Sequence, residues 1–87
     1  MSVTFEFFGL ARRRSGCETL AVEARTVGAA LAALEKSCPA LSGSVLEAGR
    51  ISPHYRLSLN AREFVTDPDR VLEDGDRLIV LSAEAGG

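Results

Sequence analysis

Tryptophan is absent from this chain, and histidine, methionine and tyrosine each occur once. Cysteine occurs twice and proline three times in 87 residues. These scarcities close several routes. One imidazole, His54, with no cysteine or histidine at ligand spacing, leaves no zinc pattern. Cys17 and Cys38, without a secretory leader, read as free thiols in a reducing cytoplasm. Cys38, just before Pro39, reads as a small packing residue, because a catalytic cysteine wants a histidine or cationic neighbour. No stretch approaches 18 apolar residues, so no membrane span is expected. The start, Met1-Ser2-Val3-Thr4-Phe5-Glu6, has neither a basic region nor an apolar core, which argues against secretion and for the cytoplasm. Basic charge is not in excess either. The net charge of -2 speaks against a general nucleic-acid-binding surface.

What is there is a globular composition, 46% hydrophobic and 25% charged. The length fits one domain with one modest core and little room for an enzyme-sized cavity. Val3-Thr4-Phe5-Glu6-Phe7-Phe8 alternates, which predicts a strand with Val3, Phe5 and Phe7 inward. Gly9 ends it, and Leu10 to Gly16 reads as a loop carrying Arg12, Arg13 and Arg14. Residues 18–23 alternate again with Leu20 and Val22 inward, so the two strands read as a hairpin with a basic tip. Thr26 is an N-cap for a helix over 26–38, with Val27, Ala30, Leu31 and Leu34 at helical spacing. Residues 40–53 read as an irregular connection in which Leu41, Val45 and Leu46 cover one edge. A strand over 55–60, a short strand at Phe64-Val65 and a last strand over 77–81 follow.

The resulting order, β-β-α-β-β-β, predicts an α+β fold: a mixed sheet with one main helix packed on one face. The last strand, apolar on both faces, suits a central place beside the first. This is the β-grasp, or ubiquitin-like, arrangement. Residues 1–81 would form the β-grasp domain and 82–87 a flexible tail ending in Gly-Gly. Phe8, Ile79 and Leu81 fall out of phase with the core set Phe7, Leu78 and Val80, so they are expected to form an apolar partner-binding patch on the other face.

Few constellations carry chemistry. Glu73-Asp74-Gly75-Asp76 offers three carboxylates, but a calcium loop spreads its ligands over about twelve residues, and here a strand begins at once. It reads as a glycine turn with solvated acids. Arg12-Arg13-Arg14 is either a solvated tip or a site for phosphate or an acidic partner. Ser42-Gly43-Ser44 is no nucleophile elbow, and no phosphate loop or dinucleotide fingerprint occurs. No metal or bound cofactor is expected, and no self-contained active site is visible. The remaining reactive element is the Gly87 carboxylate after Ala85-Gly86. Glycine lacks a Cβ, so Gly86 and Gly87 can enter a narrow channel. A carboxylate is a poor electrophile and must be activated, and nothing in this chain binds ATP. Activation must come from another protein.

On these residues the chain resembles the MoaD/ThiS family of ubiquitin-like sulfur carriers, and within it the molybdopterin synthase small subunit type. The resemblance rests on Val3 to Gly9 with its basic loop, Thr26-Val27, Leu57-Ser58-Leu59-Asn60, and the run from Leu72 through Asp74-Gly75-Asp76 to Val80 that leads to Gly86-Gly87. It implies that a ubiquitin-activating-like adenylyltransferase of the MoeB/ThiF kind uses ATP to make an acyl-adenylate at Gly87. A sulfur donor then converts it to a thiocarboxylate. The thiocarboxylate enters an acceptor enzyme, such as the MoaE-like large subunit of molybdopterin synthase. The chain would then be the small subunit or sulfur-donating co-substrate of a sulfurtransferase. Thiamine, cysteine or other sulfur-metabolite pathways are alternative acceptors, and a protein modifier forming isopeptide bonds through Gly87 is the other reading. Where molybdopterin-type members usually carry Pro-Pro, this chain has Ser82-Ala83-Glu84.

Overall fold

The computed structural model describes residues 1–83. Strand β1 (Ser2–Phe7) alternates half-buried and buried residues, as its pattern predicts. It pairs antiparallel with β2 (Thr19–Glu23) and parallel with β7 (Arg77–Ser82). Strand β7 also pairs antiparallel with β5 (Tyr55–Leu59), whose far edge holds the short β6 (Glu63–Phe64). The sheet order is therefore β2-β1-β7-β5-β6, with β7 in the middle. This is the expected β-grasp. Its central strand is the one whose apolar residues occupy both faces.

Helix α2 (Val27–Ser37) starts where Thr26 accepts the Ala29 N–H on its hydroxyl at 3.1 Å. Val27, Ala30, Leu31 and Leu34 are buried on one stripe. They share a cluster with Val3, Phe5, Phe7, Leu57, Leu78 and Val80 from the inner face of the sheet. The rings of Phe5 and Phe7 stack at 6.2 Å between centroids. The entry to α2 is latched from outside: Val27 N–H donates to Arg70 C=O at 3.0 Å and Gly28 N–H to Pro68 C=O at 2.8 Å. A Cβ on Gly28 would lie 3.1 Å from Pro68, so the glycine permits this close approach.

Two regions differ from expectation. Residues 10–16 are not a loop: Gly9–Ser15 form a helix, α1, closed by Gly16 at φ 76°. The Gly16 N–H donates to Arg12 C=O at 3.0 Å. Leucine, alanine and arginine all favour helix, and the left-handed glycine satisfies its last carbonyls. A seven-residue helix is marginal alone, and burial of Ala11 in the core cluster secures it. The connection after α2 is also more ordered than expected. A 3-10 turn (Pro39–Leu41) leads to a two-stranded ribbon of β3 (Leu46–Glu47) and β4 (Arg50–Ile51). Leu41, Val45 and Leu46 are fully buried in the same cluster as α2, so this segment closes the helix side and not the opposite face.

The turn at Glu73-Asp74-Gly75-Asp76 is more than solvated acids. Asp74 accepts the Ser2 N–H at 2.8 Å, and Gly75, at φ 88°, donates to Ser2 C=O at 2.8 Å. Asp76 accepts from Glu73 N–H at 2.8 Å and from the Asn60 side-chain amide at 2.9 Å. Asn60, itself at φ 55°, accepts the Arg77 N–H at 2.8 Å. The acidic turn thus ties the starts of β1 and β7 to the end of β5. These bonds hold the Asp76 carboxyl below the usual carboxylate range, the Glu73 N–H first and the Asn60 amide second.

Candidate functional site

Geometry around the exit of β7 follows from the register. Leu78 and Val80 point inward and are wholly buried, so Ile79 and Leu81 point outward. Ile79 sits between Glu6 on β1 and Ser58 on β5. It is only 9% exposed, so it does not carry the exposed patch expected of it. A central strand is flanked on both sides, and its outward side chain is shielded by its cross-strand neighbours. The Arg77–Glu6 ion pair, at 3.3 Å, lies on the same face.

Leu81, nearer the end of the strand, is half-buried. Phe8 keeps extended backbone (φ −132°, ψ 155°), which turns it to the face opposite Phe7, and it is 50% exposed. Two residues not anticipated join this band. Arg56 pairs in register with Leu81, and its guanidinium lies 5.2 Å from the centroid of Phe64, which is 56% exposed. The signal for both was present in the alternation: Arg56 lies between Tyr55 and Leu57, and Phe64 precedes the buried Val65. The outward band is therefore Phe8, Leu81, Arg56 and Phe64, with Ile79 sunk in its floor.

The arginine triplet is divided by α1. Arg12 pairs with Glu18, and Arg12 and Arg13 border a shallow hollow with Gly16 and Cys17. Arg14 borders a different hollow of about 430 Å³, together with Leu10, His54, Tyr55 and Ser82. That hollow sits at the exit of β7. The strand runs through Ser82, and the Ala83 N–H donates to His54 C=O at 2.9 Å. Ser82 is thus still paired with Tyr55 of β5, and Ala83 is tied to His54 just before that strand. Gly86 and Gly87, the expected reactive end, lie outside the described residues. Cys17 and Cys38 are free and half-buried, and Cys38 Sγ donates to Ser15 C=O at 3.6 Å. No group of three or more potential metal ligands forms among the described residues. No helix among them is long and apolar enough to cross a membrane.

Comparison with known proteins places this geometry. No protein-family model matches the chain. Small archaeal modifier protein 3 of Haloferax volcanii is 38% identical over 64 residues, which cover 71% of this chain and 70% of that protein. The crystal structure of small archaeal modifier protein 1 from the same organism matches with a TM-score of 0.84 at 27% identity, over 100% of both chains. A chain in the complex of subunits 1 and 2 of the molybdopterin-converting factor from Helicobacter pylori matches with a TM-score of 0.67 at 23% identity, again over 100% of both, and shares the fold. Together with the β7-centred sheet and the single long helix, these likenesses have one meaning: the chain belongs to the MoaD/ThiS-like family of small ubiquitin-like proteins, a family of sulfur carriers and protein modifiers.

Proposed function

We propose that this chain is a sulfur carrier that works through the Gly87 carboxylate. A separate ubiquitin-activating-like adenylyltransferase supplies the chemistry: the carboxylate oxygen attacks the α-phosphorus of ATP and pyrophosphate leaves. A hydrosulfide-equivalent sulfur then attacks the acyl carbon and AMP departs, leaving a thiocarboxylate. The chain itself binds no cofactor. It acts in the cytoplasm, where Cys17 and Cys38 stay reduced. Its acceptor is an enzyme of the molybdopterin synthase large-subunit kind, which takes the sulfur into the dithiolene of the pterin.

The observation that carries this reading is the course of β7. It is the central strand, anchored on both sides, and it is held to β5 as far as Ala83. The next four residues, Glu84-Ala85-Gly86-Gly87, include none that is bulky and apolar. A rigid strand thus offers a thin end to a partner. The band of Phe8, Leu81, Arg56 and Phe64 beside it supplies the docking surface. Support for a two-protein arrangement comes from the H. pylori complex, in which a chain of this fold is found with a second subunit.

A second reading is favoured by the modifier named among the relatives. There a lysine amine, rather than sulfur, attacks the same adenylate and forms an isopeptide bond. Both readings need the adenylate. The test is ATP–pyrophosphate exchange with the adenylyltransferase and this chain, beside a variant extended by one residue after Gly87. Exchange with the first and none with the second is the expected result. Equal exchange from both removes Gly87 from the chemistry.

A further inference from the structure

The tail chemistry makes no use of two half-buried thiols, Cys17 and Cys38, which come to one place from distant parts of the chain. Ser15 is the last residue of α1, and Cys38 caps the end of α2. The Cys38 Sγ donates to the Ser15 carbonyl oxygen at 3.6 Å. Cys17 is two residues on from Ser15, so its Cα is at most about 7.6 Å from that of Ser15. The Ser15 hydroxyl folds this segment back on itself: Oγ accepts the Cys17 N–H at 3.2 Å and lies 2.9 Å from the Cys17 carbonyl oxygen. Both cysteine side chains pack against the core cluster. The 3-10 turn that follows Cys38 packs on α1 and keeps the two helix ends together.

The two ends differ in access and in stiffness. Cys17 borders the shallow hollow with Arg12, Arg13, Gly16 and Glu18, so a small solute reaches it from water. Cys38 is fixed to α2 by its own N–H, which donates to Leu34 C=O at 2.8 Å. The yielding side is α1. It has seven residues, Ala11 is its one buried residue, and the ends of such short helices open readily.

We infer that Cys17 and Cys38 are a redox pair: a peroxide joins them in a disulfide that fastens the end of α1 to the end of α2. The bond requires Cα atoms within about 7 Å, and the end of α1 moves to that separation while Cys38 stays on α2. In a reducing compartment the thiols are the resting state. On oxidation the Cys17 sulfur attacks one peroxide oxygen, the O–O bond breaks, and a water departs to leave a sulfenic acid. The Cys38 sulfur then attacks the Cys17 sulfur, the S–O bond breaks, and a second water departs. Two thiols and one hydrogen peroxide thus give one disulfide and two waters, and two electrons pass from sulfur to oxygen. The bond encloses residues 17–38, and with them β2 and α2. It takes freedom from the unfolded chain and clamps α1, which begins next to Phe8 of the outward band. This goes beyond the carrier reading and does not depend on it.

The experiment treats the full chain with hydrogen peroxide and then adds iodoacetamide in denaturant to mark any thiol left. Intact mass should show a monomer that has lost two hydrogens and carries no alkyl group. Trypsin should release residues 15–25 joined to residues 37–50. The rate of joining should not depend on protein concentration. The oxidised chain should unfold roughly 10 °C above the reduced one, the size expected for a loop of this order in a small domain, and a dithiol should remove the difference. Cys38→Ser should stop at the Cys17 sulfenic acid, trapped by dimedone, with no gain in unfolding temperature. Two alkylated thiols after peroxide, a disulfide-linked dimer in place of the monomer, or equal unfolding temperatures for the oxidised and reduced chains would overturn the pair.

Discussion

Leu78 and Val80 face α2 and are wholly excluded from water, while Leu81, next along the same strand, faces away and keeps part of its side chain exposed beside Arg56. The two faces of β7 thus have separate duties. The inner one holds the strand in the middle of the sheet. The outer one, together with Phe8 and Phe64, keeps apolar side chains in reach of water and is the proposed docking surface. A carrier needs both on one strand, because the part that is offered must be firmly attached to the part that is not. The comparison can be broken by substitutions that move the same type of change from one face to the other.

The largest effect is expected on the inner face. Leu78→Ala removes a fully buried side chain from between β1 and β5 and should cost about 3 kcal/mol of stability, within the range for such cavities. Denaturant unfolding measures it, and a loss under about 1 kcal/mol would mean that the inner face is not the anchor. Next is the turn that feeds the strand. Asp76→Asn should cost about 1–2 kcal/mol at neutral pH, because one of its two acceptor contacts must be lost or turned. The sign with pH follows. The folded-state carboxyl titrates lower than the unfolded one, so its contribution is present above the unfolded pKa and is lost as pH falls through the folded value. Acid unfolding of Asp76→Asn should accordingly be shallower than that of the wild type. Parallel curves for the two would remove Asp76 from the account.

Between these positions lies the lesson about reading the sequence. Strands β1 and β2 and helix α2 are legible because their periods match their burial, β5 follows its alternation except at the buried Ser58, and β7 is legible as an apolar run that suits a central strand. The short helix α1 is not. Gly9 and three arginines look like a loop, and what makes the segment helical is the burial of Ala11, a tertiary contact. Ile79 shows the opposite limit. Alternation places it correctly on the outer face but says nothing about the neighbours, Glu6 and Ser58, that shield it. The sequence reads Asp74 and Asp76 as solvated because two of their donors, the Ser2 N–H and the Asn60 side-chain amide, reach them only once the distant strands are assembled.

On the outer face the same type of substitution should do little to stability and much to binding. Leu81→Asp and Phe8→Asp should shift stability by less than about 1 kcal/mol, since both side chains already reach water. Each should weaken association with the adenylyltransferase tenfold or more, on the order expected when a charge enters an apolar contact. Unfolding of either variant, or normal binding by both, would erase the distinction between the faces. The smallest effect on stability is expected at Gly86→Val, a position outside the described residues. There the fold should be unchanged and adenylation lost, because a branched side chain would crowd a channel made for glycine. Calorimetry and the exchange assay together check it.

The most direct measurement is the intact mass of the chain after incubation with ATP, its adenylyltransferase and sulfide, followed by fragmentation to locate any change. The carrier account predicts replacement of one oxygen by sulfur at Gly87 and nowhere else. An unchanged mass in the presence of an enzyme that carries out the exchange reaction would contradict it, and a lysine-linked adduct through Gly87 would assign the chain to protein modification.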